Sequence, residues 1–424
     1  METISSYGLI ITACVIIILS YLFNLLSAKK NIPSVLLLIL LGIIINQVLK
    51  VTGSNNLDFF PALKILGIIG LIIIVLEAAL DLELTREKGT IIWKSFFISL
   101  ISLLLNVGLI ALIINIYIDA DFYNSLFYAI PLSIMSSAIV IPCVANISEK
   151  KREFMIYEST FSDILGIMFF YFLINNAETE SIKEVGLNIL GNFGITIIIS
   201  VIASYLLLIL FQKIKTHVKL FLLLSVVILI YSIGESLHLS ALIMILIFGL
   251  ILENKHLFVK GKFLNKLINV DGLSDVLKDF KMVTAETSFL VKTFFFVVFG
   301  ITITLSALID IKVIIVSILI LLIIYGVRYL IFKLFFKRDI FPESFIAPRG
   351  LITLLLFFDI PDEFKTSEFD SGILLFVIVF TSIIMSITLI KSKRHTSISV
   401  ESEQDIENPK QDIGDTEVIT NPTE

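Results

Sequence analysis

Tyr157-Glu158-Ser159-Thr160-Phe161-Ser162-Asp163-Ile164-Leu165-Gly166-Ile167-Met168-Phe169-Phe170 places two carboxylates inside one long apolar run. Such a run is transmembrane in character, because a helix needs about 20 mostly apolar residues to cross a bilayer. A carboxylate in hydrocarbon costs at least about 2.5–3.5 kcal/mol. A charge kept at that cost marks an ion or proton site, and Asp163 is its expected centre.

The rest of the chain has the same character. Of its 424 residues, 57% are hydrophobic and only 16% charged. The mean hydropathy of +1.01 excludes a water-soluble domain of this length. No basic domain accompanies the apolar runs, so nucleic acid is not an expected partner. No phosphate loop or metal constellation is present, so neither enzyme chemistry nor a cofactor is expected. Cys14 and Cys143 both fall in apolar runs without metal spacing, and no disulfide between them is expected. Glu2 precedes the first run, no lysine does, and no small-residue cleavage site follows. That run therefore reads as a first transmembrane helix rather than a signal peptide.

The expected fold class is an all-α polytopic membrane protein of about 13 transmembrane helices. The runs lie near 7–27, 32–49, 60–80, 90–117, 126–145, 153–173, 187–211, 218–233, 239–252, 287–308, 313–335, 341–358 and 371–390. Positive charges concentrate on alternate loops, at Lys29/Lys30, Arg86/Lys88/Lys94, Lys150/Lys151/Arg152, Lys213/Lys215/Lys219, Lys255 to Lys281, Lys333/Lys337/Arg338 and Lys391/Lys393/Arg394. That set holds about 23 of the 32 Lys and Arg residues, which makes it the cytoplasmic side. The N-terminus is then outside, the C-terminus cytoplasmic and the number of spans odd. Localisation in the cell membrane follows as an expectation.

Residues 1–395 are expected to form the transmembrane domain. Residues 396–424 read as a disordered acidic cytoplasmic tail, polar and without apolar periodicity. The long basic loop 253–281 reads as an interfacial amphipathic helix resting on anionic lipid.

Depth follows from a rise of 1.5 Å per residue across a core of about 30 Å. Asp163 falls near the midplane and Glu158 about half as deep. Ser159 and Asp163 are four residues apart and share a helix face, and Ser162 approaches from the side. Hydroxyl oxygens beside a carboxylate suit a hard cation such as Na+ or K+. Arg328 reaches the depth of Glu158 from the opposite direction, and intramembrane charges usually pair. Arg349 reaches the midplane between the helix breakers Pro348 and Gly350. An earlier span carries Pro131, Ser133, Ser136, Ser137 and Pro142. Two interrupted helices in separate halves point to a transporter site at a repeat interface. Glu77 is the next deepest acid, placed to line the cytoplasmic approach or touch the ion, with Asp81 at the inner boundary. Lys292 reads as snorkelling to the cytoplasmic interface. The four histidines sit near loops.

These features together resemble the monovalent cation:proton antiporter superfamily, in particular its sodium/proton exchanger branch. Leu76-Glu77-Ala78-Ala79-Leu80-Asp81-Leu82 is similar to that branch's third-helix Phe/Leu-Glu-Ala-Gly-Leu-Asp-Leu pattern. Glu158-Ser159-Thr160-Phe161-Ser162-Asp163 is similar to its Glu-Ser-Leu-Leu-Asn-Asp signature. Phe296-Val297-Val298-Phe299-Gly300 resembles the opening of a later core helix, and Glu343-Ser344-Phe345-Ile346-Ala347-Pro348-Arg349-Gly350 a segment ending in Arg-Gly. The ordered set spans roughly residues 7–390.

The resemblance implies the sodium/proton antiporter fold, with inverted repeats, two discontinuous crossing helices, dimerisation helices and a moving core. It implies Asp163 as the ion-binding aspartate with Ser159 and Glu77 near the ion, the Glu158–Arg328 pair, a homodimer and elevator-like alternating access. Two departures bear on the ion. The first broken helix reads Ser136-Ser137-Ala138-Ile139-Val140-Ile141-Pro142, without the acid of the exchanger branch and closer to the potassium-efflux branch. The residue before Asp163 is Ser162, neither asparagine nor aspartate. Ser137 joins the candidate site on this ground. One membrane-centre acid favours exchange of one cation for one proton, because an empty charged carboxylate is too costly to carry across. The alternatives are a K+/H+ antiporter on the same site, a gated cation channel, or a sensor on the same fold.

Overall fold

The computed structural model describes residues 6–30, 33–51, 60–85, 87–118, 120–144, 147–175, 195, 197–209, 219–236, 241–258, 270–302, 310–336, 340–366 and 368–407. Apolar runs with no water around them must satisfy their backbone internally, and a helix does so within one segment. The described residues accordingly form α1 (Ser6–Lys30), α2 (Ser34–Val51), α3 (Phe60–Asp81), α4 (Gly89–Ile118), α5 (Phe122–Ser133), α6 (Ser137–Cys143) and α7 (Glu149–Asn175). There follow α8 (Ile197–Ile209), α9 (Lys219–Ser236), α10 (Ala241–Glu253), α11 (Lys255–Phe258), α12 (Val270–Thr302), α13 (Ile311–Phe336), α14 (Leu351–Phe358) and α15 (Gly372–Glu407). Eight helical stretches among the described residues are long and apolar enough to cross a membrane, with shorter apolar helices between them. The outer faces are apolar: Ile10, Ile18 and Leu22 on α1, Leu104, Leu112 and Ile116 on α4, and Leu322, Leu330 and Leu334 on α13 are all exposed. In water such a surface would be an aggregation site; in lipid it is the solvated face.

The packing divides the helices into two groups. In the first, α1 lies along α2, α2 along α12, α12 along α3, α3 along α10 and α10 along α9. In the second, α4 packs on α5, α7 and α13, while α13 packs on α15, α14 on α5 and α6 on α7. Contacts between the groups are sparser and run from α6 to α1, α7 to α10 and α14 to α3. The first group is held by close backbone crossing. A methyl group at Gly42 would strike the Val297 carbonyl and sit 2.8 Å from the Gly300 Cα. Small residues let membrane helices approach this closely and gain dispersion contacts that lipid cannot match.

The structure differs from the expectations at three points. The apolar run expected at 287–308 begins earlier as a helix: α12 starts at Val270, so the last part of the basic loop is already transmembrane-helix backbone. Lys281 there pairs with Glu253 at 2.8 Å, which gives a charged stretch a reason to stay helical. Residues 259–269 of that loop lie outside the described residues. The Phe296–Gly300 motif lies in the last turns of α12 rather than at its opening. At the C-terminus α15 extends to Glu407, and residues 408–424 lie outside the described residues.

Candidate functional site

Two interrupted helices meet inside the second group. Between α5 and α6, residues 134–136 are non-helical, with Ile134 and Ser136 extended. Between a short 3-10 turn at Glu343–Phe345 and α14, residues 346–350 are likewise non-helical. Pro348 explains part of the second break, since proline donates no hydrogen bond and disfavours helical backbone before it, whereas Pro131 lies inside α5, ahead of the first break. Irregular backbone at membrane depth needs partners from elsewhere in the protein.

Those partners are present and specific. The Ser136 N–H donates to the Pro348 carbonyl at 2.9 Å, joining the two breaks. Arg349, 2% exposed, donates to the carbonyls of Leu132 (2.8 Å), Ser133 (3.2 Å) and Ala347 (2.8 Å). Its role in the geometry is to satisfy carbonyls that the breaks leave open. Its own N–H donates to Thr381 Oγ1 at 3.1 Å. Ser162 Oγ accepts the Met135 N–H at 2.9 Å.

Asp163 completes this set. Its carboxylate is 1% exposed. Oδ2 accepts the Ser137 N–H at 3.0 Å, and the Ser137 side chain bonds the same carboxylate. Oδ1 is buried without a hydrogen-bond partner among the described residues, as are Ser136 Oγ in the break and Thr353 Oγ1 in the first turn of α14. A buried carboxylate oxygen without a donor is costly, and it is the kind of ligand a dehydrated cation or a proton would complete.

Glu158 and Arg328 form a bidentate pair, at 2.7 and 2.9 Å. Arg328 Nε donates to the Glu343 carbonyl at 2.9 Å, and its guanidinium lies 4.5 Å from the Phe332 ring centroid. The pair therefore links α7, α13 and the second broken helix.

A cavity of about 400 Å3 opens between the two helix groups. Glu77, Asp81 and Lys292 line it from the first group, and Ser137, Ala138 and Pro142 from the second. It reaches the Ser137 residue that bonds Asp163. Lys292 does not snorkel outward as expected. It pairs with Glu77 at 2.6 Å, and Ser288 donates to the same oxygen at 2.5 Å.

The structure thus brings Ser137 onto Asp163, Ser162 onto the first break and Glu158 onto Arg328. It brings Glu77 to the cavity rather than into hydrogen-bond contact with Asp163. Ser159 is fully buried, and its hydroxyl donates to the Ile156 carbonyl at 3.1 Å. Pro142 lies inside α6 and lines the cavity, while Pro348 and Gly350 flank Arg349 in the second break. The partners that sequence reasoning missed are Lys292, Ser288 and Thr381. A signal existed for Lys292 alone, since a lysine and a glutamate both deep in apolar runs are candidates for one another.

The architecture can be set beside solved structures. Two structures of MjNhaP1, the sodium proton antiporter from Methanocaldococcus jannaschii, share this fold at 20% identity. The first, at pH 8, matches over 91% of this chain and 94% of that one with a TM-score of 0.61. The second, an electron-microscopy map, matches over 95% and 98% with a TM-score of 0.66. The family model for the transmembrane sodium/hydrogen exchanger matches residues 10–391, and a match over that span means that the chain belongs to the sodium/hydrogen exchanger family.

Proposed function

We propose that this protein exchanges one monovalent cation, with Na+ the first choice, for one proton at Asp163. The observation that carries this reading is the buried Asp163 carboxylate, with Oδ2 tied to the Ser137 N–H and Oδ1 unpartnered among the described residues, beside two crossed helix breaks. Membership of the exchanger family supports cation/proton antiport in general. Cation and proton compete for one carboxylate, and the empty charged form is disfavoured because it must cross without water.

The charge pattern supports an electroneutral cycle. Glu158 is neutralised by Arg328 and Glu77 by Lys292. Asp163 is then the deep acid left to titrate with cargo. One Na+ against one H+ moves no net charge, so the membrane potential, about 2.3 kcal/mol per charge per 100 mV, does no work on the cycle.

The sparse contacts between the two helix groups support alternating access by one group sliding against the other. The cavity beside Asp81 lies on the side the loop charges assign to the cytoplasm, which supports an inward-facing form with the N-terminus outside. Assembly as a homodimer in the cell membrane belongs to the same reading.

The test is proton flux in proteoliposomes or everted vesicles under pulses of Na+, K+ and Li+, for the wild type and Asp163→Asn. Cation-evoked alkalinisation that Asp163→Asn abolishes is expected. A well-folded wild type silent to all three cations would overturn the reading. K+ is the second choice, on one observation: the first break offers Ser136 and Ser137 where an acid would favour Na+.

A further inference from the structure

Behind the crossed breaks, away from the large cavity, lies a second and much smaller one of about 20 Å3. Ser99, Ser102 and Asn106 of α4 line one wall. Their spacing of three and four residues puts them on one helix face, and α4 packs on α7 and α13. Ser162, Glu158, Arg328 and Arg349 also line it.

Three polar atoms of that face have no hydrogen-bond partner among the described residues: Ser99 Oγ, Ser102 Oγ and Asn106 Oδ1. Asn106 is 4% exposed and Ser99 2%. Buried polar atoms are paired by protein or by ordered water almost without exception. A single water needs roughly 10–15 Å3 and two to four polar partners, and this cavity supplies both. Two guanidinium groups against one carboxylate make it electropositive, which argues against a cation there.

We propose that this cavity binds one ordered water, held by Asn106 and Ser102, and that the water fixes the Ser162 hydroxyl. Ser162 Oγ already accepts the Met135 N–H, which leaves its proton to be donated into the cavity. The chain of contacts runs from Asn106 through the water and Ser162 to Met135, in the break whose next residues are Ser136 and Ser137. Asn106 is then a positioning residue for the cation site, without touching the ion. The positioning role rests on the exchange reading above; the water does not.

The test has two independent arms. The first is a density map at about 2.5 Å or better for the wild type and Asn106→Leu, in which the leucine fills the cavity. Density for one water touching Asn106 and Ser102 in the wild type, lost in Asn106→Leu, is expected. An empty wild-type cavity overturns the water. The second arm is cation KM and maximal rate at fixed pH. Asn106→Leu is expected to raise KM about tenfold, the scale on which residues behind a metal ligand act, with the maximal rate little changed. Asn106→Ser keeps a polar partner and should stay near the wild type. An unchanged KM in Asn106→Leu overturns the positioning role. Should Asn106→Leu fail to fold, Ser102→Val probes the same wall with the same expected direction. A wild type that shows the water yet transports no cation would sink the exchange reading alone.

Discussion

The Ser136 N–H and the Pro348 carbonyl are bonded to each other at 2.9 Å, so each broken helix supplies a partner for the other. The crossing is tight at Gly350, where an added Cβ would lie 2.6 Å from Ser136 Oγ and 2.9 Å from Ser136 Cβ. The hydroxyl could rotate away, but Ser136 Cβ is fixed to the backbone. Gly350→Ala should therefore part the breaks, with the 1–3 kcal/mol cost typical of overpacking. The expected outcome is a lower melting temperature in detergent and a loss of flux of roughly five- to a hundredfold at matched protein amount, since ~1.4 kcal/mol at the site corresponds to tenfold. Wild-type melting and flux together would show that the crossing is not rigid.

Glu158 and Arg328 invite a double-mutant cycle. Both are buried, and their bidentate contact leaves each as the other's counter-charge. Removing one partner strands a buried ion, at about 3–5 kcal/mol, whereas replacing both with apolar residues is often close to neutral. Glu158→Leu and Arg328→Met should each lower unfolding stability strongly, and Glu158→Leu/Arg328→Met should recover most of the loss. Additive losses in the double variant would mean that the pair is not the unit of stability. Flux in the double variant then separates a structural pair from one needed for transport.

What sequence could show here was depth, and what it could not show was direction around a helix. Counting residues put Asp163, Glu158, Arg328 and Arg349 at workable depths, because helical rise is fixed. Proline and glycine marked both breaks for reasons local to the chain. The turn from α12 toward α3 is different. Whether Lys292 points to lipid, interface or Glu77 depends on the packing of helices more than 200 residues apart in the chain. The same holds for Ser162, whose spacing suggested the ion and whose geometry serves Met135. The start of α12 was hidden by its charges, which hydropathy reads as loop although the Glu253–Lys281 pair accommodates them.

Lys255 gives a prediction outside the membrane spans. It is 6% exposed. Burial lowers its affinity for a proton below the ordinary lysine range, opposed by Glu253 and reinforced by Lys281. The folded pKa lies below the unfolded one, so the penalty on the charged form is complete below the folded value. It is relieved as pH rises from there toward the unfolded lysine value. Lys255→Met should remove that penalty at neutral pH and raise the melting temperature by about 1 °C. The gain should shrink at alkaline pH. Melting curves taken from pH 7 upward toward the ordinary lysine value of about 10.4 would test it; a loss of stability at pH 7 would show that the ammonium is held by contacts worth more than its burial costs.

The Glu77–Lys292 pair yields a prediction about the ion itself. Lys292 Nζ sits 2.6 Å from Glu77 Oε2 on the wall of the cavity that leads to Ser137. Among the described residues that line the cavity, Glu77 is the one deep acid, and the ammonium cancels it, leaving Asp81 at the rim. Lys292→Gln would leave Glu77 as an unpaired negative charge beside the cation's path. A unit charge across a hydrated gap is worth on the order of 1 kcal/mol, so cation KM should fall roughly fivefold. Glu77→Gln should move KM the opposite way, and Glu77→Gln/Lys292→Gln should return near the wild type. Raised ionic strength, set with an impermeant cation, should shrink both single-variant shifts by screening. Should Lys292→Gln instead raise KM, the ammonium is shaping the site rather than offsetting its charge, and the electroneutral account would lose one of its two supporting pairs.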